Sequence, residues 1–257
     1  MSRSVNLRNL YLEIEGKRKK TLEDPTLNLV NYKVSRRGLG REAQLTRPED
    51  LRHIAHSARI EFPLAHIRDL PKRAQRIARK DLQRATTRLA NAWTLAKIIF
   101  PDDGEFTTEY FTAIARKIEP DVVRGIRREM VLYGGQVPPE ADQIESELNM
   151  FLFENKGIDL PLEKAVHAHI HLVRIHPFMD GNGRTARMVQ NVLLNMSGYP
   201  PAIIEEGERH LYFDLLSTAI QAYNQRIKRS TKVTLEEDLA YEFLASKVNV
   251  AYDRLLE

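Results

Sequence analysis

Beyond Asp50, apolar residues recur every three or four positions along most of the chain, the spacing that lines one face of an α-helix. Leu51, Ile54, Ala58 and Glu61 follow it in a helix from Leu51 to about Phe62, with Thr46 as N-cap and Pro48, Glu49 and Asp50 in the first turn. A stripe of Ile77, Ala85, Leu89, Trp93 and Ala96 predicts a longer helix from about Lys72 to Ile99, and Pro63 and Pro71 break the region between the two. Thr107 or Thr108 caps a further helix through Tyr110, Ile114 and Ile118, which Pro120 stops. Helices resume at about Ala141 to Glu154 and again from Pro161, where Leu162, Ala165, His169, Leu172 and Val173 share a face. A last stripe runs Met188, Val192, Leu193 and Met196 and ends at Gly198, with Pro200 and Pro201 beyond.

Two regions depart from this period. Ser2 to about Asp50 is polar and punctuated by Pro25, Gly38 and Gly40, so it reads as an irregular arm with one or two short strands. Met130-Val131-Leu132-Tyr133 suits a strand, Gly134-Gly135 a turn, and Val137-Pro138-Pro139 the return, which predicts one short β-hairpin. The expected architecture is a mainly α bundle with that single hairpin. Its expected divisions are an arm over 1–50, two helices over 51–100, a core over 101–225 and a helical extension over 226–257.

Composition narrows the function classes. The 257 residues are 42% hydrophobic and 29% charged, with no apolar run long enough to cross a bilayer. The first residues lack the apolar stretch of a secretory signal and cysteine is absent, so a cytoplasmic protein without disulfides is expected. The net charge of +4 conceals an asymmetry: residues 1–90 hold 21 Lys and Arg against 10 Asp and Glu, and the remainder holds 18 against 25. Lys17-Arg18-Lys19-Lys20 and the stretch from Lys72 to Arg84 lack interleaved aromatics, so solvated helix faces are a better reading of this excess than nucleic-acid binding.

The chemistry is concentrated in His176-Pro177-Phe178-Met179-Asp180-Gly181-Asn182-Gly183-Arg184-Thr185-Ala186-Arg187, a polar loop between two apolar helices. A Gly-Asn-Gly turn opening a helix lets several backbone amides converge on one anion at the positive end of the helix dipole. Arg184 and Arg187, three apart, can fork onto further phosphate oxygens, which suits a polyphosphate. Asp180 is placed to hold Mg²⁺ while phosphates supply other ligands. The imidazole of His176 has the ordinary pKa of a base working near neutrality.

This segment resembles the signature of the Fic family, His-x-Phe-x-Asp/Glu-Gly-Asn-Gly-Arg-x-x-Arg, at every defined position. More loosely the resemblance runs from about Ser57 to Ala222, including the hairpin ending Val137-Pro138-Pro139, His169 and Ile175, Gly198-Tyr199-Pro200, and Arg209-His210-Leu211-Tyr212. It implies a protein adenylyltransferase: His176 deprotonates a Tyr, Thr or Ser hydroxyl of a target protein, or of the enzyme itself, which attacks the α-phosphate of ATP. Asp180 would hold Mg²⁺, and Gly181, Asn182 and Gly183 would form the anion hole. Arg184 would meet the β-phosphate and Arg187 the γ-phosphate. Met130, Val131, Leu132 and Tyr133 would belong to a flap that clamps the target. Tyr212 either lines the nucleotide pocket or is a buried structural residue. Gly183 argues against the kinase subgroup, which has Lys there, whereas transfer of UMP or phosphocholine stays open.

Many relatives carry an inhibitory helix reading Ser/Thr-x-x-x-Glu-Gly/Asn, and Ser57-Ala58-Arg59-Ile60-Glu61 matches its first part, with Phe62 as a departure. The resemblance then implies that Glu61 pairs with Arg187 in place of the γ-phosphate, or aligns a water that removes AMP. Other classes are a silent interaction protein, against which the intact His176 and anion loop count, and a metal hydrolase. The latter is suggested by His167 and His171 on one helical face, but no Glu lies between them and a third ligand would have to come from elsewhere.

Overall fold

A computed structural model describes residues 3–23, 48–101, 104–120, 122, 125–134, 136–230 and 232–256. It is mainly α, as expected. The helices are α1 (Val5–Glu23), α2 (Pro48–Glu61), α3 (Leu64–Asp69), α4 (Lys72–Ile98), α5 (Thr108–Ile118), α6 (Ile144–Lys156), α7 (Pro161–Ile175), α8 (Asn182–Met196), α9 (Arg209–Arg229) and α10 (Leu235–Leu256). Among the described residues no helix is long and apolar enough to cross a membrane.

The two helices flanking the polar loop, α7 and α8, make the most extensive contact in the molecule, and most of their side chains are buried. A helix buried on every side lies at the centre of a core, and this pair is the axle around which the others pack. On one side α4 and α5 close over α8; on the other α6, α9 and α10 close over α7. Thr107, rather than Thr108, caps α5, its hydroxyl accepting from the Tyr110 amide at 3.4 Å. The α4 stripe is buried only from Ala85 onward, and Ile77, expected inside, is 56% exposed because the first turns of α4 overhang the bundle. Leu51 is likewise exposed.

The arm is the largest correction. Its first part is a helix, α1, seated against α10 by Leu7, Tyr11 and Ile14, whose spacing of four and three is helical. The Ser4 hydroxyl accepts from the Leu7 amide at 3.3 Å and starts it. Arg3 then reaches Glu163 on α7 at 3.0 Å and Asp238 on α10 at 3.2 Å. Pro25, Gly38, Gly40 and the Thr46 cap lie outside the described residues, as does Gly135.

The hairpin is the second correction. Its turn exists, but the pairing is a single bridge between Tyr133 and Gln136, with N–H to O distances of 3.4 and 2.7 Å. Pro138 and Pro139 have no amide hydrogen to donate to a ladder. A guanidinium replaces it: Arg127 donates to the Glu129 carbonyl at 2.9 Å and to the Pro139 carbonyl at 2.6 Å, joining both legs at their base.

Candidate active site

The loop between α7 and α8 is built around two left-handed residues. His176 ends α7 at φ 50° and Gly181 precedes α8 at φ 79°. Glycine is required at the second: a Cβ there would lie 3.2 Å from Glu119 Cβ. Between them the Asn182 side chain folds back on the loop, accepting from the Phe178 amide at 2.9 Å and donating to the Phe178 carbonyl at 2.7 Å. Its amide group therefore holds the loop in shape, which leaves the backbone at Gly181 to Gly183 as the anion-facing part. Phe178 is 1% exposed, a core anchor as expected.

His176 Nδ1 lies 3.2 Å from the Val173 carbonyl, an arrangement that puts the proton on Nδ1 and leaves the Nε2 lone pair free. Burial lowers its pKa to about 4, the α7 carbonyl of Val173 acting less strongly in the opposite direction, so the ring is neutral near pH 7. Tyr133 of the hairpin stacks on this ring, centroids 3.9 Å apart and planes 7° from parallel. His176 thus touches the hairpin directly.

Arg127 escaped the sequence reading. Besides bracing both legs of the hairpin, it donates from Nε to the His176 carbonyl at 2.8 Å and from its backbone amide to the Pro177 carbonyl at 2.8 Å. One residue therefore ties hairpin and loop together. Nothing in a run of basic residues at Arg124, Arg127 and Arg128 marks the middle one; its position two to three residues ahead of an extended segment was the available cue.

The two arginines of the signature are buried and face different partners. Arg187 donates to Ser57 Oγ from Nε at 3.0 Å, to the Ser57 carbonyl at 3.2 Å, to Glu61 Oε1 at 2.8 Å and to the Tyr212 hydroxyl at 3.3 Å. Burial, the largest single influence, opposes its charge, but Tyr212 and Glu61 outweigh it and raise its pKa. Arg184 lies 3.4 Å from Glu119 Oε2 and 3.2 Å from Asp180 Oδ1, and Glu119 meets Arg88 at 3.4 Å with its other oxygen. Glu119 is a second residue the sequence reading missed.

Tyr212 is 1% exposed and belongs to a buried chain: it lies 2.9 Å from His169 Nε2, whose other ring nitrogen meets Gln190. Burial lowers the pKa of His169 to about 3 and raises that of Tyr212, so the neutral forms of both persist at neutral pH. With the proton on His169 Nδ1 toward the Gln190 oxygen, Nε2 accepts from Tyr212, whose oxygen is then free to accept from Arg187. Tyr212 is therefore a buried residue that also touches Arg187 of the signature.

At the end of α2, Phe62 turns the chain without a left-handed residue. Its amide still donates to the Ala58 carbonyl at 3.0 Å, its ring packs on the core, and Pro63 starts α3 from extended backbone. Arg209 holds this end by donating to the Ile60 carbonyl at 2.7 Å.

These groups surround one cavity of about 590 Å³, lined by Glu61, Tyr133, His176, Asp180, Gly181, Asn182, Gly183, Arg184, Arg209 and Tyr212. Leu132, 73% exposed, also lines it beside Tyr133, whereas Met130, 56% exposed, and the half-buried Val131 do not. A neutral imidazole with a free lone pair, an amide-lined helix start, a carboxylate and guanidinium groups in one cleft can bind a polyphosphate and accept a proton beside it.

Comparison with known proteins bears on the family. Residues 105–194 match the model of the Fic/DOC family. The chain is a Fic-domain protein. Protein adenylyltransferase Fic of Aedes aegypti is 33% identical over 209 residues, which make up 72% of this chain and 41% of the relative. The protein of the same description from Nematostella vectensis is 38% identical over 122 residues, 44% of this chain and 29% of the relative. This Fic-domain chain therefore spans less than half the length of these curated relatives. Its fold is that of Fic-1 from C. elegans, with a TM-score of 0.65 and 21% identity over 97% of this chain and 72% of that one. A Fic family protein from Desulfovibrio desulfuricans gives 0.60 and 16%, covering 100% of this chain and 77% of that one.

Proposed function

We propose that the chain transfers AMP from ATP to a Tyr, Thr or Ser hydroxyl of a protein, itself included, and that Glu61 restrains the reaction. The observation that supports this most strongly is the convergence of the free Nε2 edge of His176, the Gly181 to Gly183 backbone, Asp180 and Arg184 on a single cavity. His176 accepts the hydroxyl proton at Nε2 as the oxygen forms a bond to the α-phosphorus, and the bond to pyrophosphate breaks. The backbone amides and Arg184 neutralise charge on the phosphates, so catalysis is chiefly positioning and electrostatics. Asp180, more than two-thirds exposed toward the cavity, has the donor chemistry to hold Mg²⁺ together with phosphate oxygens, and the ion would neutralise the leaving group.

Glu61 supports the restraint because it occupies the guanidinium edge of Arg187 that a γ-phosphate would need. Arg187 is absent from the lining of the cavity, whereas Glu61 is part of it. Gly183 fits this arrangement, since a Cβ there would lie 3.3 Å from Arg187 and 3.4 Å from Glu61. Transfer of UMP is the second reading, favoured by nothing in the cavity over AMP. The test is incubation of the Glu61→Gly protein with ATP, UTP and Mg²⁺, followed by mass spectrometry of the products. An AMP adduct on a hydroxyl side chain, lost in the Glu61→Gly, His176→Ala double variant, is expected. A UMP adduct alone would change the donor, and no adduct from either would overturn the reading.

A further inference from the structure

His167 and His171 stand outside the nucleotide cavity, on the face of α7 turned toward α6. The fold supplies the third donor that the sequence did not show. Glu154 of α6 comes against them, and one donor atom of each of the three residues lies within 4.8 Å of the others. We propose that Glu154, His167 and His171 form a binding site for a zinc-class transition metal that fastens α6 to α7.

The donor set is two imidazoles and a carboxylate, the ligand chemistry of a three-protein-ligand zinc site completed by a water. Its atoms are poorly accounted for otherwise. His171 Nδ1 and Glu154 Oε2 are buried without a hydrogen-bond partner, and the 3.7 Å from Glu154 Oε2 to His167 Nε2 exceeds a hydrogen bond. Both histidines are more than nine-tenths buried, and their rings stack 4.1 Å apart beneath Phe151. Burial favours the neutral ring in both, the form that ligates a metal; the Glu154 carboxylate opposes it at His167, and neighbouring positive charges add to it at His171.

The guanidinium groups around the cluster oppose positive charge at His171, but carboxylates offset them. The guanidinium groups nearby belong to Arg3, Arg174 and Arg226, and all are matched: Arg3 by Glu163 and Asp238, Arg174 by Glu147 at 2.8 Å, Arg226 by Glu237 at 2.8 Å. With Glu154 added, carboxylates outnumber guanidinium groups, which a divalent ion would offset. The adjoining cavity, lined by Arg3, Tyr223, Arg226, Glu237 and Tyr241, is about 20 Å³, room for one water and for no substrate. The role is structural.

Asn155 braces the far edge of the His167 ring. Its Nδ2 lies 3.2 Å from His167 Nδ1 and 2.9 Å from the Lys164 carbonyl. Ligation through His167 Nε2 moves the ring proton to Nδ1, and rotation of the Asn155 amide presents its carbonyl oxygen to that proton, at the expense of the Lys164 bond. Because α7 ends at His176, a metal here would stiffen the helix that delivers the base.

Untagged protein, stripped with chelator and titrated with Zn²⁺ or Co²⁺, tests the site without any measurement of activity. One equivalent of Co²⁺ should produce the visible absorption of a four-coordinate ion, and Zn²⁺ should raise Tm in a concentration-dependent way. Both responses should persist in His210→Gln, an exposed histidine elsewhere, and vanish in Glu154→Gln and in His171→Gln, with helicity by circular dichroism confirming each fold. Asn155→Ala should weaken binding about 10- to 100-fold. No response in the parent, or equal responses in parent and both ligand variants, would overturn the proposal. If His171→Gln fails to fold, Glu154→Gln alone decides.

Discussion

The two arginines that open α8 come from the same turn of the same helix, yet their surroundings differ in kind. Arg187 is gripped by four acceptors from three residues, two of them on a separate helix, and sits behind Glu61. Arg184 meets only two carboxylates, at 3.2 and 3.4 Å, and still lines the cavity. The end of the cavity at Arg184 is open, whereas the guanidinium of Arg187 is held by the chain's own Glu61. Buried ion pairs add little net stability by themselves, so the grip on Arg187 is better read as positional than as a contribution to folding.

Breaking the two ends separately should give unequal results. The largest effect is expected from Arg184→Ala in the Glu61→Gly background, which removes a charge aimed at the phosphates: self-labelling by α-labelled ATP should fall about 10²- to 10³-fold. Equal labelling in the double variant and its Glu61→Gly parent would mean that the open end contributes nothing. Next, Glu61→Gly alone should raise labelling about 10- to 100-fold over the native chain, the equivalent of one charge-assisted hydrogen bond lost from the resting state. An unchanged rate would remove the restraint from the account.

A smaller change is expected from Ser57→Ala, which takes one neutral acceptor from Arg187 and leaves Glu61 in place. Labelling should rise by a few fold, at the scale of about 0.5–1.5 kcal/mol for a single hydrogen bond. The smallest effect sharpens the comparison from the stability side. His53 and His169 have their pKa lowered by burial to about 3, and His176 to about 4, from the ordinary 6.5. The unfolded chain therefore binds these protons first, so stability is full above pH 6.5 and declines as pH falls toward 4 and then 3. Tm measured across that range should drop, and the drop should be shallower in His169→Gln if that ring is one of the groups responsible.

Much of the site was legible because it is local. The His176 to Arg187 segment holds its polar groups in consecutive residues, and the pairing of Glu61 with Arg187 was implied by the resemblance of one short pattern ahead of the core to the family's inhibitory helix. What escaped depends on distant backbone. Arg127 works through the carbonyl groups of Glu129, Pro139, His176 and Pro177, and carbonyls leave no trace in residue identity. Glu119 acts because α5 ends beside Gly181, and Glu154 because α6 lies along α7. The α1 helix was missed for a different reason: Leu7, Tyr11 and Ile14 have helical spacing, but the charged residues around them and Gly16 mask it. The hairpin was overread, since β-branched and aromatic content at Val131 and Tyr133 says nothing about which groups the strand will bond.

Because both ends of the 129–139 segment terminate on one guanidinium, which also grips the carbonyl of His176, the fastening does not depend on the identity of the exposed side chains between them. Arg127 in that sense separates vocabulary from grammar: Met130, Leu132 and Val137 face solvent, and the clasp beneath them bonds only to backbone carbonyl groups.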